Sequence, residues 1–160
     1  MKSHSIYSRK GFTLIEVMVV IGILAIVAGM GMTFGFDAYR GYLFRAEHTG
    51  ALHILSTARN RAVNNFDQKP HGIKFENDGY ILFKGNTYND ADPANADYPK
   101  NQAFSVTGID TVIFEQLSGN ILLCTDTLGD PLDPCMVTFD GGGVRHANVT
   151  VHKSGGIIQN

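Results

Sequence analysis

Glu16 is the residue whose chemistry most needs a reason. It is the single charge in residues 12–34, which begin Phe12-Thr13-Leu14-Ile15-Glu16-Val17-Met18-Val19-Val20-Ile21 and stay apolar to Phe34. A carboxylate inside such a span costs on the order of 2.5–3.5 kcal/mol on membrane-insertion scales. No basic residue stands three or four positions away to offset it. The residues alone leave three readings open. Glu16 can complement the positive end of a helix dipole. It can close a capping box, since Thr13-Leu14-Ile15-Glu16 has the spacing. Or a cut after Gly11 frees an amine on Phe12, and Glu16 of one subunit meets the amine of its neighbour in a bundle of helices.

Other reactive side chains are sparse. The histidines, His4, His48, His53, His71, His146 and His152, are scattered, and none falls in H-E-x-x-H or a Cys/His zinc spacing. His146 and His152, six apart in the strand-rich C-terminal region, read either as a metal pair or as ordinary surface histidines. No G-x-S-x-G nucleophile elbow is present. Gly141-Gly142-Gly143 lacks the lysine and the strand–loop–helix context of a phosphate loop, and is expected to be a turn. Asp126, Asp130 and Asp133 crowd one short stretch; they read either as a weak calcium site or as a solvated acidic turn. No enzyme activity and no cofactor are expected.

The apolar run must position Glu16. Its 23 residues would span roughly 35 Å as a helix, enough for a hydrocarbon core of about 30 Å. It is too long for a secretory signal, and no small-residue cleavage site follows it. Lys2, Arg9 and Lys10 precede it, so the positive-inside rule places residues 1–11 in the cytoplasm and the rest outside. Removing those eleven takes three of 13 basic residues and none of 15 acidic ones, leaving a net charge of −5. Residues 85–140 hold nine acidic residues and one basic residue, Lys100. Such a balance disfavours nucleic-acid partners, which need a basic face. Cys124 and Cys135 fall in the outward part, where disulfides persist. A disulfide across the ten residues between them is expected, the alternative being two free buried thiols.

From residue 37 to about 65 the period is helical: Phe44, His48, Ala51, Leu55, Ala58 and Ala62 form one stripe, broadened by Leu43, Leu52 and Ile54. Arg40, Arg45, Glu47, Arg59 and Arg61 fall mainly off it; the basic ones read as a solvated face or neighbour contacts rather than a nucleic-acid site. Beyond residue 65 short alternating runs predict strands at 71–75, 80–84, 103–107, 111–116, 121–124, 136–140, 148–152 and 157–159, with residues 85–100 a loop. The expected organisation is residues 1–11, a membrane helix at 12–36, its amphipathic continuation at 37–65, and a β-rich domain at 66–160. The fold class is α+β: one long helix packed on an antiparallel sheet or sandwich.

Arg9-Lys10-Gly11-Phe12-Thr13-Leu14-Ile15-Glu16-Val17-Met18-Val19-Val20-Ile21-Gly22-Ile23-Leu24-Ala25 resembles the prepilin signature of type IV pilins and type II secretion pseudopilins. The resemblance implies cleavage after Gly11 by prepilin peptidase, N-methylation of Phe12, and use of Phe12 and Glu16 in subunit assembly. It implies a single-pass inner membrane protein with its C-terminal domain in the periplasm, later joined to other pilins in a pilus or pseudopilus. Many major pilins carry a proline along this span, where the helix melts on assembly. Here the first proline is Pro70, and Gly22, Gly29, Gly31 and Gly35 are the weak points instead. Local melting at 29–35, or close helix packing through small residues, are the two readings.

The helix ending in Arg59-Asn60-Arg61-Ala62, with Val137-Thr138-Phe139-Asp140-Gly141 and Ser154-Gly155-Gly156-Ile157-Ile158 beyond it, is similar to the H-type minor pseudopilin and FimT-like minor pilin family. That implies a minor subunit near the filament tip that primes assembly or serves secretion. The alternative is a FimT-like pilin that captures DNA. The chain has no tryptophan, and Gly156-Ile157-Ile158-Gln159 stands where DNA-capturing members carry Gly-Arg-x-Arg, so DNA is not the expected partner.

Overall fold

The computed structural model describes residues 11–142 and 145–159. Contacts divide the chain into two units, Met1–Tyr39 and Arg40–Asn160. Helix α1, Leu14–Val63, contributes to each. Thr13 sets its start: the hydroxyl accepts the Glu16 N–H at 3.3 Å and the carbonyl accepts the Val17 N–H at 3.2 Å. The helix runs unbroken through Gly22, Gly29, Gly31 and Gly35. Asn65, at φ 55°, ends it, a conformation asparagine adopts more readily than most residues.

In the first unit the described large apolar side chains are exposed. Leu14 is 74% exposed and Leu24 61%. Among the described residues, α1 is the one helix long and apolar enough to cross a membrane.

In the second unit the helix buries the stripe read from its period. Ala51, Leu55, Ala58 and Ala62 are fully covered, and Phe44 and His48 half so. They pack on two antiparallel sheets. The first holds β1 (His71–Phe75), β2 (Gly79–Lys84), β3 (Ala96–Pro99), β5 (Thr111–Phe114) and β6 (Ile121–Thr125), in the order β3-β2-β1-β5-β6. The second holds β4 (Ser105–Thr107), β7 (Cys135–Asp140), β8 (His146–Val151) and β9 (Ile157–Gln159), in the order β4-β7-β8-β9.

Register puts one side-chain row of each sheet into a common core. Leu82, Ile73, Val112 and Cys124 lie side by side across β2, β1, β5 and β6. Val137 with Val149, and Cys135 with Val151 and Ile157, answer them from the second sheet. On the outer face, Phe83 and Ile113 flank Gly72, where a Cβ would meet the Phe83 ring at 2.7 Å and Ile113 at 3.0 Å. Only glycine lets them close together. Tyr88 covers Phe83 edge-on at 5.4 Å.

One strand departs from the expectation. Residues 85–100 were read as loop, yet Ala96–Pro99 pairs with β2, placing Tyr98 opposite Tyr80. Proline is tolerated there because β3 is an edge strand, so a missing ladder donor faces outward. The strand read at 103–107 begins at Ser105.

The helix end, the β5–β6 turn and the 152–156 turn meet around Arg59. Its Nε donates to the Gly119 carbonyl and its Nη2 to the Ser154 carbonyl, both at 3.4 Å. Leu117 N donates to Ala62 O, and Ile121 N to Lys153 O, each at 2.9 Å. Gly155 sits at φ +75°, and a Cβ on it would collide with the Gly119 carbonyl. Gly129 has φ +86° with nothing within 4 Å. Gly155→Ala should therefore lower the unfolding free energy by about 2–4 kcal/mol, joining left-handed backbone strain to overpacking. Gly129→Ala should cost about 1–2 kcal/mol from the backbone alone. Denaturant melts of the two variants check the difference; equal losses would mean that the packing at Gly155 is slack.

Candidate functional site

The start of α1 presents Phe12, Glu16 and Val20 along one side, with Val17 and Ile21 completing a shallow hollow. Phe12 precedes the first helical turn and is 84% exposed. The structure forms half of the capping box, the Glu16 N–H to Thr13 hydroxyl bond. The reciprocal bond, from Thr13 N–H to the Glu16 carboxylate, is not made among the described residues. That carboxylate also has no ion-pair partner among them. The helix dipole and the Thr13 cap account for the backbone; neither satisfies the carboxylate oxygens. The arrangement can hold a cation supplied by another molecule, at a point where the surrounding surface is hydrocarbon. Residues 1–10, with the expected basic leader of Lys2, Arg9 and Lys10, lie outside the described residues.

Residues 6–32 match the family model described as the prokaryotic N-terminal methylation motif. The match contains Gly11, Phe12 and Glu16 and supports a type IV pilin-like protein processed by prepilin peptidase and assembled with other pilins. No curated protein and no solved structure matched the chain.

The remaining candidates fall elsewhere. Cys124 of β6 and Cys135 of β7 form a disulfide, separated by 11 positions, that ties the edge of the first sheet to the second. Closing a loop of this size stabilises by about 3 kcal/mol in the chain-entropy model. Asp126, Asp130 and Asp133 are not gathered as ligands. Asp126 Oδ1 accepts the N–H groups of Leu128 and Asp130, both at 2.9 Å, so it shapes its own turn. Asp133 pairs with Lys153 at 2.7 Å, which raises the lysine pKa. Among the described residues no group of three His, Cys, Asp or Glu could hold a metal. His146 and His152 lie at opposite ends of β8, about 20 Å apart, too far to share an ion. His146 instead approaches Asp140 across the β7–β8 hairpin at 3.4 Å. Gly141 and Gly142 are in that hairpin's turn, as expected, with Gly143 outside the described residues.

Two charged helix residues act internally, and for Arg59 this departs from the solvated or neighbour-facing reading. Glu47 accepts the Tyr80 hydroxyl at 2.8 Å and the Asn101 N–H at 3.1 Å. Burial and the Glu47 bond raise the Tyr80 pKa, keeping the phenol protonated. Arg59 is the strut already described. Their positions carried a signal: Glu47 is four residues before Ala51 and Arg59 four after Leu55, on the flanks of the buried stripe.

Two histidines are drawn into the packing, His48 half-buried and His71 fully buried. His48 lies edge-on to Phe139 at 5.2 Å, and burial lowers its pKa. His71 is 1% exposed beside Phe66, with Nδ1–H donating to the Lys69 carbonyl at 3.0 Å. Its Nε2 has no partner among the described residues. Burial lowers the His71 pKa, helped by Arg61 and Lys84 and opposed by the Lys69 carbonyl and Asp67. Below pH about 6.5 the unfolded chain therefore binds a proton that the folded one refuses. Stability should be flat in this respect above pH 7 and fall as pH drops through 6.5. Thermal melts between pH 7.5 and 5.5 should show a smaller decline for His71→Gln than for the parent; identical declines would mean His71 takes up its proton when folded.

Proposed function

We propose that this chain is a minor pilin or pseudopilin, a structural subunit rather than an enzyme. Prepilin peptidase removes residues 1–11, and the new amine on Phe12 is N-methylated. Residues 12–36 hold the subunit in the inner membrane and residues 37–65 continue the helix. Residues 66–160 form the periplasmic domain. Assembly pairs the Glu16 carboxylate of one subunit with the Phe12 amine of another. The observation that carries this reading is the Glu16 carboxylate, without a partner among the described residues, four residues after Phe12 on an exposed apolar helix inside the matched motif.

The finer reading, an H-type or FimT-like subunit near the tip that primes assembly or serves secretion, rests on the sequence resemblance over the second unit. The acidic balance of residues 85–140 favours a protein partner over DNA. A disulfide joining β6 to β7 suits an oxidising compartment outside the cytoplasm.

Gly11→Ala should leave the precursor uncut when expressed with a prepilin peptidase. Mass spectrometry should find the leader attached and Phe12 unmethylated; a processed, methylated product would refute the cleavage site. Glu16→Ala should be cut normally yet be lost from sheared filaments, because the neighbouring amine then has no acid to meet. Recovery at parental levels would remove Glu16 from assembly.

A further inference from the structure

The apolar run ends as abruptly as it begins. Residues 17–36 contain no Asp, Glu, Lys, Arg or His, and Asp37 and Arg40 follow at once. At about 1.5 Å per residue these twenty span about 30 Å, the thickness of a hydrocarbon core. Phe36 and Tyr39 stand at that limit, 69% and 61% exposed, one turn apart on adjoining faces of the helix. Nothing among the described residues explains two exposed aromatic rings there. The Gly35 position beside them is open, with no atom within 4 Å of an added Cβ.

We propose that Phe36 and Tyr39 form an interfacial anchor whose partner is the headgroup–acyl boundary of a phospholipid bilayer. This rests on the membrane-spanning reading above. Cα–Cβ bonds in a helix tilt toward its N-terminus, so both rings lean back over the preceding turn, toward the hydrocarbon. Phe36 then sits in the outermost acyl layer. Tyr39 lays its ring along the boundary and turns its hydroxyl to water, the arrangement that enriches tyrosine at membrane interfaces. The anchor fixes depth: sliding inward would drag Asp37 and Arg40 into lipid, and sliding outward would expose the Phe36 ring. Glu16 is thereby held about 30 Å away, at the opposite boundary, level with subunits seated by the same rule.

The chain has no tryptophan, so a single substitution supplies a clean depth probe. The full chain carrying Tyr39→Trp or Leu24→Trp is reconstituted in phosphatidylcholine–phosphatidylglycerol vesicles. Bromine is placed on the acyl chains either near the carbonyls or near the chain ends. Tyr39→Trp should be quenched more by shallow bromine and Leu24→Trp more by deep bromine. Deep quenching of Tyr39→Trp, or none while Leu24→Trp is quenched, would overturn the anchor and leave the span intact. No quenching of either probe would overturn the span itself. Adding Phe36→Ser and Tyr39→Ser to Leu24→Trp should change its shallow-to-deep quenching ratio; an unchanged ratio would show that the rings do not set depth.

Discussion

A carboxylate with no partner among the described residues governs the first unit. The Glu16 carboxylate sits on a helix face otherwise made of Val17, Val20 and Ile21, with its backbone capped and its oxygens unbonded among the described residues. In water this would be trivial. In hydrocarbon it costs several times the thermal energy, and the cost persists until a cation arrives. A buried ion pair adds little net stability over an apolar match, but losing one partner is expensive. In the proposed assembly that asymmetry would suit a register device: neighbours that place a cation at Glu16 would be accepted, and misaligned ones rejected. The matched methylation motif places the same glutamate four residues after Phe12, where a cut after Gly11 would create a cation.

The second unit answers a different constraint. It closes its core without borrowing a surface, because the helix stripe and both sheets bury Leu55, Ile73, Phe114, Phe139 and Val149 together. Glu47 and Arg59 then fasten the flanks of the helix to loops of the sheet domain through bonds to Tyr80, Asn101, Gly119 and Ser154. The Cys124–Cys135 disulfide adds a covalent tie between the sheets. Such ties matter because local opening of an edge strand would offer its backbone to other chains.

The legible parts were those set by local physics. The helical stripe of Ala51, Leu55, Ala58 and Ala62 could be read because burial follows the 3.6-residue period. The β1–β2 hairpin could be read because Glu76-Asn77-Asp78-Gly79 separates two alternating runs. Edge strand β3 was missed: Ala96-Asp97-Tyr98-Pro99 has weak strand propensity and owes its form to pairing with β2. The internal roles of Glu47 and Arg59 were missed for a related reason. Their partners lie 33 to 95 residues away, and no local pattern encodes such distances. Glu16 was legible because its anomaly is local.

The glycines show how one sequence can serve two surroundings. Gly22, Gly29, Gly31 and Gly35 each weaken a water-exposed helix by roughly 1 kcal/mol relative to alanine. Among the described residues, no atom lies within 4 Å of a Cβ added at any of them. Lipid removes the difficulty, since unpaired backbone groups there cost more than any glycine penalty, so the helix holds. Leaving lipid removes that enforcement while the glycines remain. Residues 29–35, with three glycines in seven positions, hold the densest set of weak points in the span. The unbroken helix of the single chain and a melted segment in an assembled filament are thus compatible outcomes of one sequence, separated by the solvent around it.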